Sequence, residues 1–422
     1  MYSRRAFLKS SGIGLFGIGL LGGIPSFVVE AVTREKLNPL FSKRKVLVCI
    51  FQRGAMDGLM AVTPFEDNFL KEARPNLFIA PQLKNNRAPG LIDLDGRFGL
   101  HPAMSSFEPL FKDGRLAIVH GIGSPNTTRS HFDAQDYMES GTPFKKSTSD
   151  GWLNRAVGLT GHENVQTPFS AISLTSALPR SLYGDHDALA ISNIKNFKIQ
   201  GAGKRMLQNA KSFEELYDDT ADELLNEAGG DSFDSMKILQ QKIQKEYIPA
   251  QNAKYPATNL GSSLKQVAQL IKMDVGLEVA FTESNGWDTH YNQGKDTGIF
   301  ARNVGDLSDA IVAFWNDIEA YQDDVLVMTM TEFGRTVHQN GTGGTDHGRA
   351  SCNFILGNHV SGGKIHGVVD PLAVENLEDG RDLKVTTDFR AVFSEVSQLH
   401  LNVKDNNSLF PEWDGKNIGV MR

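Results

Sequence analysis

Six consecutive apolar residues, Val46-Leu47-Val48-Cys49-Ile50-Phe51, restrict the fold of this chain more than any other feature. An uninterrupted run of that length reads as a strand buried on both faces, as in a sheet covered by helices on each side. Similar runs recur at Leu116-Ala117-Ile118-Val119 and Val325 to Met328, and further strands read at Phe169 to Leu174, Leu277 to Thr282 and Cys352 to Leu356, with a short one at Leu189-Ala190-Ile191. Helical patterns lie between them. Residues Ala103 to Phe111 form one, and a second starts at Ser130 and is ended by Gly141 and Pro143. Leu264, Val267, Ala268 and Ile271 make one helical face; Leu307, Ile311, Phe314, Trp315 and Ile318 make another; Asp388 to Leu401 closes the chain. Strands alternating with helices predict an α/β fold, a mostly parallel sheet with helices on both faces. Residues 197–256 break the alternation. They are charged and strand-free, with Phe233, Met236, Leu239, Ile243 and Tyr247 on one helical face, and they read as a helical insertion within an α/β domain of residues 32–422.

With 40% hydrophobic and 22% charged residues, the chain is globular. Its formal charge of -7 argues against nucleic acid, which needs a basic surface. Cys49 and Cys352 lack metal-ligand spacing and sit among apolar neighbours, so they read as inert buried thiols.

The first residues are an address. Ser3-Arg4-Arg5-Ala6-Phe7-Leu8-Lys9 resembles the twin-arginine export signal. The following stretch, Gly12 to Val29, carries Gly14, Gly17, Gly19, Gly22, Gly23 and Pro25. It is a poor membrane span, which needs roughly 20 predominantly apolar residues. Val29-Glu30-Ala31 fits a cleavage site, so residues 1–31 read as a leader. The resemblance implies the twin-arginine translocase as a partner during export, a periplasmic or extracellular destination, and no stable membrane span after cleavage. Substrates of that route cross already folded, commonly because a metal or cofactor is loaded first.

Polar groups stand where the apolar runs end, and in a parallel sheet the loops leaving one edge converge. The first run opens into Arg53-Gly54-Ala55-Met56-Asp57-Gly58. Others lead to Thr127-Thr128-Arg129-Ser130-His131, to Trp287-Asp288-Thr289-His290, and to Thr331-Glu332 with the later Thr345-Asp346-His347-Gly348. Carboxylates with imidazoles suit a divalent metal (zinc, manganese, calcium or magnesium), with magnesium the least fond of histidine. The candidate ligands are Asp57, Asp288, His290, Glu332, Asp346 and His347. Ser130 is the candidate nucleophile, because a helix start favours an anion, and Arg129 is the candidate partner of the same oxyanion. The same residues also read as plain structure: Ser130 with Asp133 as a capping box, Arg129 as a surface charge, Asp288-Thr289-His290 as a turn. Thr127 and Thr128 rival Ser130. A G-x-S-x-G elbow and a GxGxxG after the first strand are both absent from the sequence.

Ordered blocks then carry a resemblance. They are Gln52 to Gly58, Gly99-Leu100-His101-Pro102, Gly123-Ser124-Pro125, Ser130 to Tyr137, Gly151-Trp152-Leu153-Asn154, Gly286 to His290, Glu332 to Thr336, Gly343 to Gly348, Thr387 to Arg390 and Leu409-Phe410-Pro411. The chain resembles the bacterial exported family catalogued as domain of unknown function 1501, itself similar at fold level to the alkaline phosphatase and sulfatase superfamily. That similarity implies an alkaline-phosphatase-like domain and a metal-dependent hydrolase of phosphate or sulfate esters, acting on a small molecule or a polymer. It implies Asp57 after the first strand, Ser130 as the attacking group, and Asp288 with His290 as a ligand pair. The sequence departs from the superfamily at the late strand, which ends in Glu332-Phe333-Gly334; its Asp-His-Gly comes only at Asp346 to Gly348. No cysteine precedes Ser130 in the turn, where a formylglycine sulfatase needs one. The alternative is an exported, non-catalytic binding protein that keeps the fold, and it predicts polar groups spread apart in space.

Overall fold

The structure, a computed structural model, describes residues 44–82, 89–146, 148–161, 169–194 and 247–422. The chain divides into two compact units, Met1–Ser42 with Asn193–Tyr247, and Lys43–Ser192 with Ile248–Arg422. The leader and most of the expected helical insertion lie outside the described residues; residues 248–256 of that span are turn and irregular backbone. Everything below belongs to the second unit. Among the described residues no helix is long and apolar enough to cross a membrane.

Its strands are β1 (Val46–Arg53), β2 (Val62–Pro64), β3 (Ile92–Asp93), β4 (Phe98–Leu100), β5 (Leu116–Gly123), β6 (Ala171–Ser173), β7 (Leu189–Ala190), β8 (Val279–Asn285), β9 (Val325–Met330), β10 (Arg335–Gln339), β11 (Thr345–His347), β12 (Ser351–Leu356), β13 (Ile365–His366) and β14 (Thr387–Asp388). The main sheet runs β13-β5-β12-β9-β1-β8-β6-β7, with β14 also on β5. β12 is antiparallel to β5 and β9, and the other pairings in this sheet are parallel. The expected α/β architecture is therefore present. β12 runs backwards because the antiparallel hairpin β10–β11 returns the chain to the edge that β9 has just left. The short ribbon β2-β4-β3 and that hairpin have no counterpart in the apolar runs, since neither needs a two-sided core.

The longer helices are α1 (Asn68–Ala73), α2 (Phe107–Lys112), α3 (His131–Ser140), α4 (Trp152–Leu159), α5 (Asn259–Lys272), α6 (Ile299–Asp317) and α7 (Phe389–Leu399). Alternate residues of β1, Leu47, Cys49 and Phe51, share a core with Phe281, Met328, Trp152 and Phe393, under α4 and α7. The Trp152 and Phe393 rings lie 4.9 Å apart. Each such fully buried side chain contributes about 1.5–3 kcal/mol. Leu264, Val267, Ala268 and Ile271 form the buried stripe of α5, which packs on β8 and α6. Both cysteines are free and buried, and burial pushes their thiols above the ordinary range.

This topology gathers the loops. β9, β1 and β8 are adjacent and parallel, so the turns after Met330, Arg53 and Asn285 leave the same edge. β5 runs the same way, being antiparallel to β12, and Ser351 at the start of β12 lies opposite Ile122 near its end.

Candidate metal centre

Gly54 brings the first two loops together. Its φ of +115° suits glycine, and a Cβ there would stand 2.5 Å from the Asp288 backbone nitrogen. Its own N–H donates to Glu332 Oε1 at 2.8 Å. Gly344 does the same for the hairpin, since a Cβ on it would meet Thr289 O at 2.3 Å. The β1, β8, β9 and β10–β11 connections are thus pressed against one another.

Three imidazoles point inward from them. His347 Nε2 lies 3.0 Å from His131 Nε2 and 2.8 Å from His290 Nε2. Asp288 Oδ1 lies 3.2 Å from His347 Nε2 and 3.1 Å from His290 Nε2, while Asp288 Oδ2 is 3.6 Å from His131 Nε2. Each ring's other nitrogen faces a group that only accepts, and therefore carries a proton there. His131 Nδ1 donates to Glu332 Oε1 at 2.8 Å, His290 Nδ1 to Asp346 Oδ1 at 2.8 Å, and His347 Nδ1 to the Arg129 carbonyl at 2.9 Å. In the neutral rings the Nε2 lone pairs of His131 and His290 both face that of His347, and His131, His347 and Asp288 bring one ligand atom each within 4.8 Å of one another. A single lone pair on His347 cannot serve two imidazoles and also face Asp288. A cation among them resolves the conflict, and orienting partners behind the rings are the usual second layer of a metal site. Zinc ligands at about 2.0–2.1 Å in tetrahedral array sit ~3.3 Å apart, within the span of these separations. The donor set fits a divalent metal.

The electrostatics agree. The hydrogen bond that His131 donates to Glu332 outweighs desolvation and raises the proton affinity of His131. Burial lowers that of His347. Asp288 feels desolvation pushing its pKa up, but Arg335 Nη1 at 2.7 Å overrides it and holds the carboxyl below its usual range. Glu332 is fully buried; desolvation is again outweighed, here by bonds from His131, Gln135 and Gly54, so it stays ionised. Asp346 is held low chiefly by His290. Phe333 packs against His131 and His347, with ring centroids 5.0 and 5.1 Å away.

The sequence candidates therefore sort into separate places. Asp288, His290 and His347 point into the cluster. Glu332 and Asp346 stand behind His131 and His290, where their oxygens orient rings. Asp57 is not in it. Both its oxygens bind Arg74, and Oδ2 also takes Gln293 Nε2 at 2.8 Å, all of it buried, so the expectation of a ligand there is corrected. Arg129 is corrected as well: its guanidinium is bound to Asp382 and Asp379 rather than open to an oxyanion, and its backbone carbonyl serves the site. Ser130 caps α3 in extended conformation and is exposed, but its side chain makes no cap hydrogen bond. The capping-box reading fails because Asp133 turns outward to Lys146 at 2.6 Å. Sequence reasoning missed His131 as a ligand, and Arg335 altogether. The available signal was His131 with Gln135 one turn on, a pair on one helix face that meets Glu332 at 2.8 and 2.9 Å.

A family model described as Protein of unknown function (DUF1501) matches residues 44–410. The chain belongs to that family. His131, Asp288, His290 and His347 all fall inside the DUF1501 span. Among curated proteins none matches the sequence. Among solved structures it is similar to the C-terminal periplasmic domain of EcEptC from Escherichia coli, solved in complex with Zn (9% identity, TM-score 0.35, 75% of this chain and 73% of that one). It is also similar to the PsFucS1 sulfatase from Pseudoalteromonas sp. (11%, TM-score 0.39, 94% and 78%) and to Ps i-CgsB in complex with k-i-k-neocarrahexaose (10%, TM-score 0.40, 90% and 76%). All three likenesses are weak, and the geometry of the site itself carries the functional reading.

Proposed function

We propose that this member of the DUF1501 family is a metal-dependent hydrolase of phosphate or sulfate esters. It acts in the periplasm or outside the cell after twin-arginine export, a destination supported by the Ser3 to Lys9 pattern. The observation that carries the reading is the convergence of His131, His347 and the Asp288 carboxylate within 4.8 Å of one another, with His290 against His347 and each ring fixed from behind. Imidazoles combined with a carboxylate favour zinc or manganese over calcium or magnesium. The metal, when bound, polarises an ester oxygen as a Lewis acid.

The remaining parts belong to the chain. His131, His347 and Asp288 would hold the cation, with His290 beside His347 and Asp288. Glu332, Asp346 and the Arg129 carbonyl keep the Nδ1 protons in place, so that Nε2 is free to bind. Arg335 holds Asp288 ionised. Ser130 is the residue before a ligand, at the open start of α3, with its hydroxyl unused by a cap; it is the proposed nucleophile, and the N-terminal N–H groups of α3 favour the anionic ester group. The alternative of a non-catalytic binding protein expects the polar groups to be dispersed, and Asp288, His290 and His347 are instead within hydrogen-bond distance of one another.

The test is metal analysis of the exported protein together with a panel of aryl phosphates and sulfates. Bound zinc or manganese is expected, with hydrolysis lost on chelation. Ser130→Ala should retain the metal and lose turnover by ~10²-fold or more. A folded protein with no affinity for either metal sinks the proposal; full turnover in Ser130→Ala removes Ser130 from it.

A further inference from the structure

We infer that Gln293 is a positioning residue for this centre, and that with Asp57 behind it Gln293 sets the direction of a buried hydrogen-bond relay ending on the Asp288 carboxylate. The inference rests on the metal site proposed above.

The relay can be followed atom by atom. Asp57 is pinned by Arg74 Nη1, 3.0 and 2.9 Å from its two oxygens, and by Met60 N at 3.2 Å. Its Oδ2 takes Gln293 Nε2 at 2.8 Å. A carboxylate only accepts, so the amide nitrogen must face it and Gln293 Oε1 must face the other way. There Oε1 receives the hydroxyls of Thr289 at 2.9 Å and Thr345 at 2.8 Å. Thr345 has then spent its proton, and its Oγ1 offers only lone pairs to Arg335 Nε at 3.2 Å. Arg335 Nη2 donates to the Thr345 carbonyl, which leaves Nη1 aimed at Asp288 Oδ1, 2.7 Å away. That oxygen is the one facing His290 and His347.

Turning the amide over breaks the chain. Gln293 Oε1 would then face the Asp57 carboxylate, acceptor against acceptor, and Thr345 Oγ1 would accept from both the NH₂ group and Arg335, so that its proton loses the acceptor it now has. The fixed charge of Asp57 thus decides which way the Gln293 amide and the Thr289 and Thr345 hydroxyls point. Asp57, Gln293, Thr289, Thr345 and Arg335 are all buried, so water cannot substitute for a lost partner. The relay also braces both ligand loops. Thr289 lies between Asp288 and His290, and Arg74 donates to the Thr336 and Val337 carbonyls of β10, the partner of the strand that carries His347.

Zinc alone is the probe, with affinity measured by competition against a chelating dye on the full chain, and the urea midpoint measured in parallel. Gln293→Leu and Thr345→Val are expected to weaken zinc binding ~10–100-fold, the usual effect of losing an outer-layer partner. Thr345→Ser keeps the hydroxyl and should stay within about threefold of the unsubstituted protein. A merely structural role would lower the urea midpoint in both variants and leave zinc affinity unchanged, which overturns the inference. If Gln293→Leu does not fold, the Thr345 pair decides. If the unsubstituted chain binds no zinc, manganese replaces it as the probe, and binding of neither metal overturns the metal site itself.

Discussion

At the scale of single residues, two carboxylates with the same task differ in setting. Glu332 is fully buried and accepts from His131, Gln135 and Gly54; Asp346 is about half exposed, with His290 and Asn340 as partners. Loss of charge at the buried position removes an orienting group that water cannot replace. Glu332→Gln is therefore expected to weaken zinc binding ~10–100-fold, and Asp346→Asn about threefold or less. Calorimetric titration of the two variants checks the order; equal effects would argue against orientation through His131. The same contrast explains what could be read from the sequence. Asp288, His290 and His347 follow strand ends and were legible as ligand types. His131 was hidden by its place inside a helix start, where Ser130 drew the chemical reading. Asp57 misled because the partner that neutralises it, Arg74, is a matter of tertiary packing with no mark in local sequence.

At the scale of elements, the centre depends on how closely three connections approach. Gly54 combines a left-handed φ with a close approach, the backbone of Trp287 and Asp288 lying within 3.1 Å of any added Cβ. Gly54→Ala should cost about 2–4 kcal/mol, from strain and from the displaced loop together. The urea midpoint should fall, and zinc affinity should fall with it, because Asp288 moves. Gly341 in the β10–β11 turn has nothing within 4 Å of an added Cβ, and Gly341→Ala should stay within about 0.5 kcal/mol. Comparable losses in the two variants would refute the close-packing account. The apolar runs made β1, β5, β9 and β12 legible, since a two-sided core demands them. The hairpin β10–β11 was not, because only half of its strand residues are buried and its register is set by contacts of Arg335, Thr345 and Gly348.

At the scale of the whole molecule, acid stability tests how the sheet is buried. His120 in β5 is fully buried, and its two ring nitrogens are committed to backbone: Nε2 donates to the Val62 carbonyl at 2.9 Å and Nδ1 accepts from Gly121 N at 2.9 Å. His400, after α7, donates from Nε2 to the Val46 carbonyl at 3.0 Å and so ties the end of that helix to the start of β1. Burial pushes both down to about 4 from an ordinary 6.5. A depressed histidine is neutral in the fold and takes up its proton only on unfolding, so its contribution is complete above the unfolded value. It is lost as pH falls from 6.5 toward 4, because the unfolded chain binds the extra proton throughout that window. Between pH 7 and pH 5 each histidine should remove about 2 kcal/mol of stability. His400→Gln offers a neutral donor of similar reach that does not titrate. The difference in unfolding free energy between pH 7 and pH 5 should shrink in this variant by about 2 kcal/mol, while titrating groups elsewhere, including the imidazoles of the metal centre, cancel in the comparison. An unchanged difference would mean that His400 is already protonated or solvated in the fold, and that the seam between β1 and the closing helix is more open than its geometry implies.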